Sequence, residues 1–139
     1  MTIRGFFASL TFLALASAPP GLLASAPKVE AKVISTDVCS VLGRPELFVG
    51  RVIRLRGFVY LGVDHMNVAD RACGGRGIEL AIPSQRVFNQ RDVSHFYKQM
   101  NHQNRRGAAT LTGLLRSDPD PLTPYVLNIQ HVKDVGPAD

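Results

Sequence analysis

The sequence predicts a mainly β fold with one or two helices: a five-stranded barrel in the order β-β-β-α-β-β, preceded by a short N-terminal helix. Three observations predict it. Apolar and polar residues alternate with a period of two from residue 51 to residue 61, the period changes to about 3.6 between Asn89 and Arg106, and alternation returns in two segments after Gly107. This is the order of an oligonucleotide/oligosaccharide-binding (OB) barrel, a fold that hosts many unrelated activities.

The elements can be read in order. Residues 29–34 alternate enough for an edge strand or extended arm, and Ser35, Thr36 and Asp37 supply capping chemistry ahead of Val38, Val41 and Leu42 at helical spacing. Gly43 stops that helix, and Pro45 with Glu46 opens a turn expected to deliver Leu47 and Phe48 to an apolar contact. In the first barrel strand, Ile53, Leu55, Val59 and Leu61 share one face, while Arg54, Arg56, Phe58 and Tyr60 share the other. Gly57 interrupts it where a long strand needs a bend or bulge. Residues 65–69 form a short second strand, a turn-rich connection follows, and Ile78, Leu80 and Ile82 alternate in a third strand ended by Pro83. The helix carries Val93, Phe96, Tyr97 and Met100 as one stripe, with Asn89 and Asp92 as its capping pair and Arg105 and Arg106 at its carboxyl end. The last two strands run from 108 to 115, with a second bend at Gly113, and from 125 to 132. Prolines 119, 121 and 124 force a polar loop between them.

Residues 1–26 read as a secretory signal peptide. Arg4 supplies the positive start, Phe6, Phe7, Leu10, Phe12 and Leu13 an apolar stretch, and small residues at 14–16 and 24–26 two candidate cleavage sites. The apolar run is too short to cross a bilayer, which takes roughly 20 residues. Residues 27–139 then form a single OB-like barrel domain of exported, periplasmic or secreted destination. Fifteen of the 16 Lys and Arg and all 11 Asp and Glu lie after residue 26, which leaves a formal charge of +4 and a mild attraction to anionic partners. Cys39 and Cys73 follow an export signal as an even pair, so a disulfide is expected, closing a loop worth about 3–4 kcal/mol in the chain-entropy model. The alternatives are two buried free thiols, or a redox or metal pair, whose usual CxxC spacing is absent.

A resemblance rests on Cys39 and Leu42, Arg44-Pro45-Glu46, Gly50, Val52-Ile53-Arg54-Leu55-Arg56-Gly57, Cys73 and Gly77-Ile78-Glu79-Leu80. Over residues 36–132 the pattern resembles a group of small exported bacterial proteins with OB-like barrels. It is more loosely similar to exported bacterial OB-fold proteins associated with envelope stress. The resemblance implies fold and compartment, and brings no ligand motif.

Catalytic chemistry finds little support in the residues. His65, His95, His102 and His131 are dispersed, and Asp118 and Asp120 are each followed by proline, as in a plain turn. His65 beside Met66 is a weak copper signal, so no metal and no cofactor is expected. Gly74-Gly75-Arg76-Gly77 could cradle an anion, but lacks the Lys-Ser/Thr of a P-loop. The sharper feature is the exposed face of the first strand, where Arg54, Arg56, Phe58 and Tyr60, with His65 nearby, interleave cations and aromatics. Arg51, Arg105 and Arg106 would widen its positive field; covered aromatics and solvated arginines are the plainer reading. The expected function is a non-catalytic binding module of the cell envelope, meeting an envelope protein, a glycan or another anionic component through this face and the loops at 62–65 and 117–124. The alternative is a single-stranded nucleic-acid binder, which export disfavours.

Overall fold

The computed structural model describes residues 31–138, so the expected signal peptide lies outside the described residues. Six strands form one sheet: β1 (Ile34–Ser35), β2 (Val52–Leu61), β3 (Met66–Ala69), β4 (Gly77–Leu80), β5 (Arg106–Ser117) and β6 (Tyr125–Gly136). The sheet order is β1-β2-β3-β4-β6-β5, and β2 also pairs with β5. Strands β2 to β6 therefore close on themselves as a barrel, which removes the free edges an open sheet would present. Only β4 and β6 meet in parallel within that ring, through Glu79 with Val126 and Leu80 with Leu127.

The strand count differs from the five expected because Ile34 and Ser35 add a parallel annex to β2 opposite Ile53 and Arg54. The helices are also more numerous. Among the described residues there are three, α1 (Val38–Gly43), α2 (Gln85–Phe88) and α3 (Arg91–His102), with single 3-10 turns at Pro45–Leu47 and Arg71–Cys73. Asp37 starts α1 by accepting from the Ser40 N–H at 2.7 Å and the Ser40 hydroxyl at 2.6 Å, and these bonds hold its carboxyl below the usual range. Val38 and Val41 are fully buried, so α1 plugs the barrel against β2 and β4. Of the two residues expected to follow it inward, Phe48 is buried and Leu47 is not.

Alternation puts the core where it was expected. Ile53, Leu55, Val59 and Leu61 of β2 join Val68, Ile78, Leu80, Leu111, Leu115, Leu127 and Ile129 inside, and α3 adds Val93, Phe96 and Met100. Gly57 carries no bulge: the β2–β5 register runs unbroken from Val52 with Leu114 to Tyr60 with Arg106. What it provides is clearance, because a Cβ there would lie 2.7 Å from Val68 Cγ2 and 2.8 Å from the Ala69 carbonyl. The register instead shifts at Thr112/Gly113, at the second bend read from the sequence, and again between Ala108 and Thr110. At that second irregularity Asp134 takes a φ of 50°, and its carboxylate accepts from the Thr110 hydroxyl at 3.2 Å.

Three local expectations fail for identifiable reasons. Asn89 does not cap α3, since it closes α2 and accepts from the Gln85 amide at 2.9 Å; Gln90 occupies the α3 N-cap without a side-chain bond. Arg105 and Arg106 lie beyond α3, because Asn104 and Arg105 have φ of 53° and 62° and reverse the chain into β5. Ile82 leaves the sheet: the Gly62 N–H to His65 carbonyl bond folds the preceding connection back, so no strand lies opposite residue 82.

Candidate binding face

Cross-strand register assembles the outward face of the barrel in rows. In one row, Phe58 of β2 faces Ala69 of β3 on one side and Ala108 of β5 on the other, and Ala69 faces Gly77 of β4. In the next, Tyr60 faces Asn67 and Arg106, and Asn67 faces Glu79. The small residues around Phe58 leave a trough of about 470 Å³, floored by Phe58 and Tyr60 and flanked by Asn67, Asp70, Arg71, Gly75 and Arg106.

Both rings are half-buried on the outward face, on the opposite side of β2 from the core residues Val59 and Leu61. Each instead meets a guanidinium. Arg71 lies 4.6 Å from the Phe58 centroid and Arg106 lies 5.5 Å from that of Tyr60. Such contacts are worth about 0.5–1 kcal/mol at exposed sites. Stacked this way over Tyr60, Arg106 can still direct its in-plane N–H groups to planar, two-point recognition of a carboxylate or phosphate. His65 closes the row, its ring 5.5 Å from that of Tyr60 at an interplanar angle of 48°.

The residues picked out from the sequence therefore divide. Phe58, Tyr60, His65 and Arg106 converge, whereas Arg54 and Arg56 lie farther along β2. Arg54 donates to the Thr112 hydroxyl at 3.3 Å, and Arg56 to the Asp134 carbonyl at 3.1 Å. Arg105 is exposed just outside β5, its carbonyl taken by the Leu61 N–H at 2.9 Å. Arg51 stands exposed ahead of the opposite end of β2.

Arg71, Asn67 and Glu79 were not picked out. Arg71 comes from the 3-10 turn that Asp70 caps by accepting from the Ala72 N–H at 2.8 Å, and Gly74 and Gly75 finish that turn at φ of 74° and 72°. The available signal was Asp70, a turn-capping residue immediately after a strand, with a cation next to it. Cys73 ends the same turn and is bonded to Cys39 of α1, with Cα atoms 5.4 Å apart. Arg76, the candidate anion ligand of the glycine-rich connection, folds back to donate to the Cys73 carbonyl at 3.4 Å.

The other polar candidates are structural. Asp118 and Asp120 accept from the backbone N–H groups of Asp120 and Leu122, each at 2.9 Å, and so order the loop before β6. His131 pairs with Asp92 at 3.3 Å, while His95 and His102 are exposed on α3. Among the described residues no three His, Cys, Asp or Glu side chains converge as a metal site would require. No helix among them is long and apolar enough to cross a membrane.

No family model matches this sequence, and no curated protein does. Among solved structures the chain is similar to two OBodies, each bound to hen egg-white lysozyme. One is 16% identical with a TM-score of 0.49 over 66% of this chain and 86% of that one, and the other 15% identical with 0.48 over 66% and 88%. A protein assigned as an aspartyl-tRNA synthetase from Leishmania major Friedlin is 16% identical, with a TM-score of 0.48 over 86% of this chain and 24% of that one. At these identities and scores, none of the likenesses bears on what this chain binds.

Proposed function

We propose that this protein is an exported, non-catalytic binding module of the cell envelope, and that the trough on β2 recognises an anionic envelope component such as an acidic glycan. One observation carries the reading: Phe58 and Tyr60 stand side by side on an outward strand face, each with an arginine over its ring. Flat faces of this kind take up sugar or base rings while the edge of the Arg106 guanidinium meets negative charge. Asn67, in register with Tyr60, adds a hydrogen-bonding group at one end. The secretory pattern of residues 1–26 and the Cys39–Cys73 bond support an oxidising compartment.

The alternation of cations with aromatics also fits single-stranded nucleic acid, where each stacked base is worth about 1–3 kcal/mol. Titrating the protein with an oligogalacturonate and with an oligothymidylate, at low and moderate salt, separates the two. The glycan is expected to bind and the Phe58→Ala and Tyr60→Ala variants to weaken it about tenfold each. Arg54→Ala should change little, because Arg54 is directed toward Thr112. Tighter, steeply salt-dependent binding of the oligothymidylate would instead favour the nucleic-acid reading. Glycan binding that ignores both aromatic substitutions would remove the trough from consideration.

A further inference from the structure

At the end of the β3–β4 hairpin opposite the disulfide-linked turn lies a second concavity, of about 510 Å³. It runs between the connection before β3, the stretch that follows β4, and the two helices that come next. Its rim holds large apolar side chains left in water: Val63 is 90% exposed, Ile82 86% and Phe88 40%. Single exposed hydrophobes are ordinary, but these three line one groove. Tyr97 stands in the same lining with its hydroxyl buried and without a hydrogen-bond partner, although buried polar groups are rarely left so.

The groove's charge is opposite to that of the molecule. Asp64 and Glu79 line it and no Lys or Arg does, on a chain whose formal net charge is +5. Its backbone is also available. Residue 82 has left the sheet and makes no backbone–backbone hydrogen bond among the described residues, while its neighbour Ala81 is still held by the Leu127 carbonyl at 3.1 Å. Extended chain with free N–H and C=O groups is what an added strand pairs with.

We infer that this groove docks a short extended peptide segment of a partner protein, one that alternates apolar and basic side chains. The apolar side chains cover Val63, Ile82 and Phe88, and the basic ones face Asp64 and Glu79. Occupation is independent of the trough, so one barrel joins an anionic ligand on one surface to a cationic segment on another.

The probe is a capped hexapeptide of alternating leucine and lysine, titrated into 15N-labelled protein. Alternating leucine–glutamate and serine–lysine hexapeptides serve as controls. Saturable shifts of the amides at 62–66 and 79–85 are expected with the first peptide alone. Ile82→Ser should weaken it about tenfold, and Glu79→Gln about threefold. Both substituted positions are on the surface, so the spectra also report that each variant is folded, while Phe58→Ala should leave the peptide affinity unchanged. Equal binding of the leucine–glutamate peptide, shifts confined to other surfaces, or no saturable shift would each overturn the proposal. Self-association of the free protein that Ile82→Ser abolishes would also overturn it, by giving the groove to a second copy of the chain.

Discussion

Gly57 shows how a single missing side chain can be required for reasons of space alone. It stands in an ordinary strand conformation with Val38 of α1, Val68 and the Ala69 carbonyl crowded over it. Gly57→Ala is expected to lose about 1–3 kcal/mol in urea unfolding, as other overpacking changes do. Gly43→Ala, where an added Cβ meets nothing within 4 Å, should stay within about 0.5 kcal/mol of the parent. The sequence marked Gly57 correctly as an unusual position and misread the reason, because period-two alternation does not reveal which element crosses a strand. Phe58 and Tyr60 were legible as an outward pair for the converse reason: their direction depends only on the parity of β2. Arg71 was not legible, since it lies in an aperiodic connection and reaches Phe58 only through the pairing of β3 with β2.

Asp92 links α3 to β6. Its carboxylate accepts from the Val132 N–H at 3.0 Å and meets His131 at 3.3 Å, across about 40 positions of sequence. In sequence, Asp92 three residues after Asn89 looks like a local cap, and a contact to a distant strand has no periodic signature that would displace that reading. Burial works against the charged form of Asp92, but the N–H groups of Val132 and Val93 and the His131 ring outweigh it, so its carboxyl titrates below the ordinary value. A depressed carboxyl contributes stability that is present above the unfolded-state pKa and is lost as pH falls through the folded-state pKa. Asp92→Asn should therefore cost about 1 kcal/mol at neutral pH. Below about pH 4 the gap to the parent should narrow. Asp37 is depressed too and is present in both proteins, so the difference between their pH–stability curves isolates Asp92. A gap that does not change with pH would show that the Asp92 charge plays no part.

As a whole molecule, the protein is a closed barrel stapled at one end. Closure was legible because strand order and the single long helix sufficed to name an OB-like arrangement. An edge strand near Ile34 was legible in the alternation of residues 29–34, whereas α2 was not, being four residues long and below the length at which periodicity is readable. The staple joins positions 34 residues apart, and its removal should lower unfolding free energy by about 3–4 kcal/mol. Intact-mass analysis of protein taken from its host, alkylated before and after reduction, should find both thiols reactive only after reduction. The same spectrum reports whether the chain has lost its first 16 to 26 residues, as the signal-peptide reading requires. A full-length chain with free thiols would contradict both expectations.

The turn that ends in Cys73 begins with Arg71, and this adjacency ties covalent chemistry to recognition. Whatever anchors one end of three residues also restricts the other. With the sulfurs joined, the guanidinium over Phe58 explores fewer positions before any ligand arrives, so less ordering entropy remains to be lost on association. If the trough binds as proposed, oxidation of this chain is in that sense a maturation step for its ligand surface, and the reduced protein would bind more weakly with every ligand contact still present.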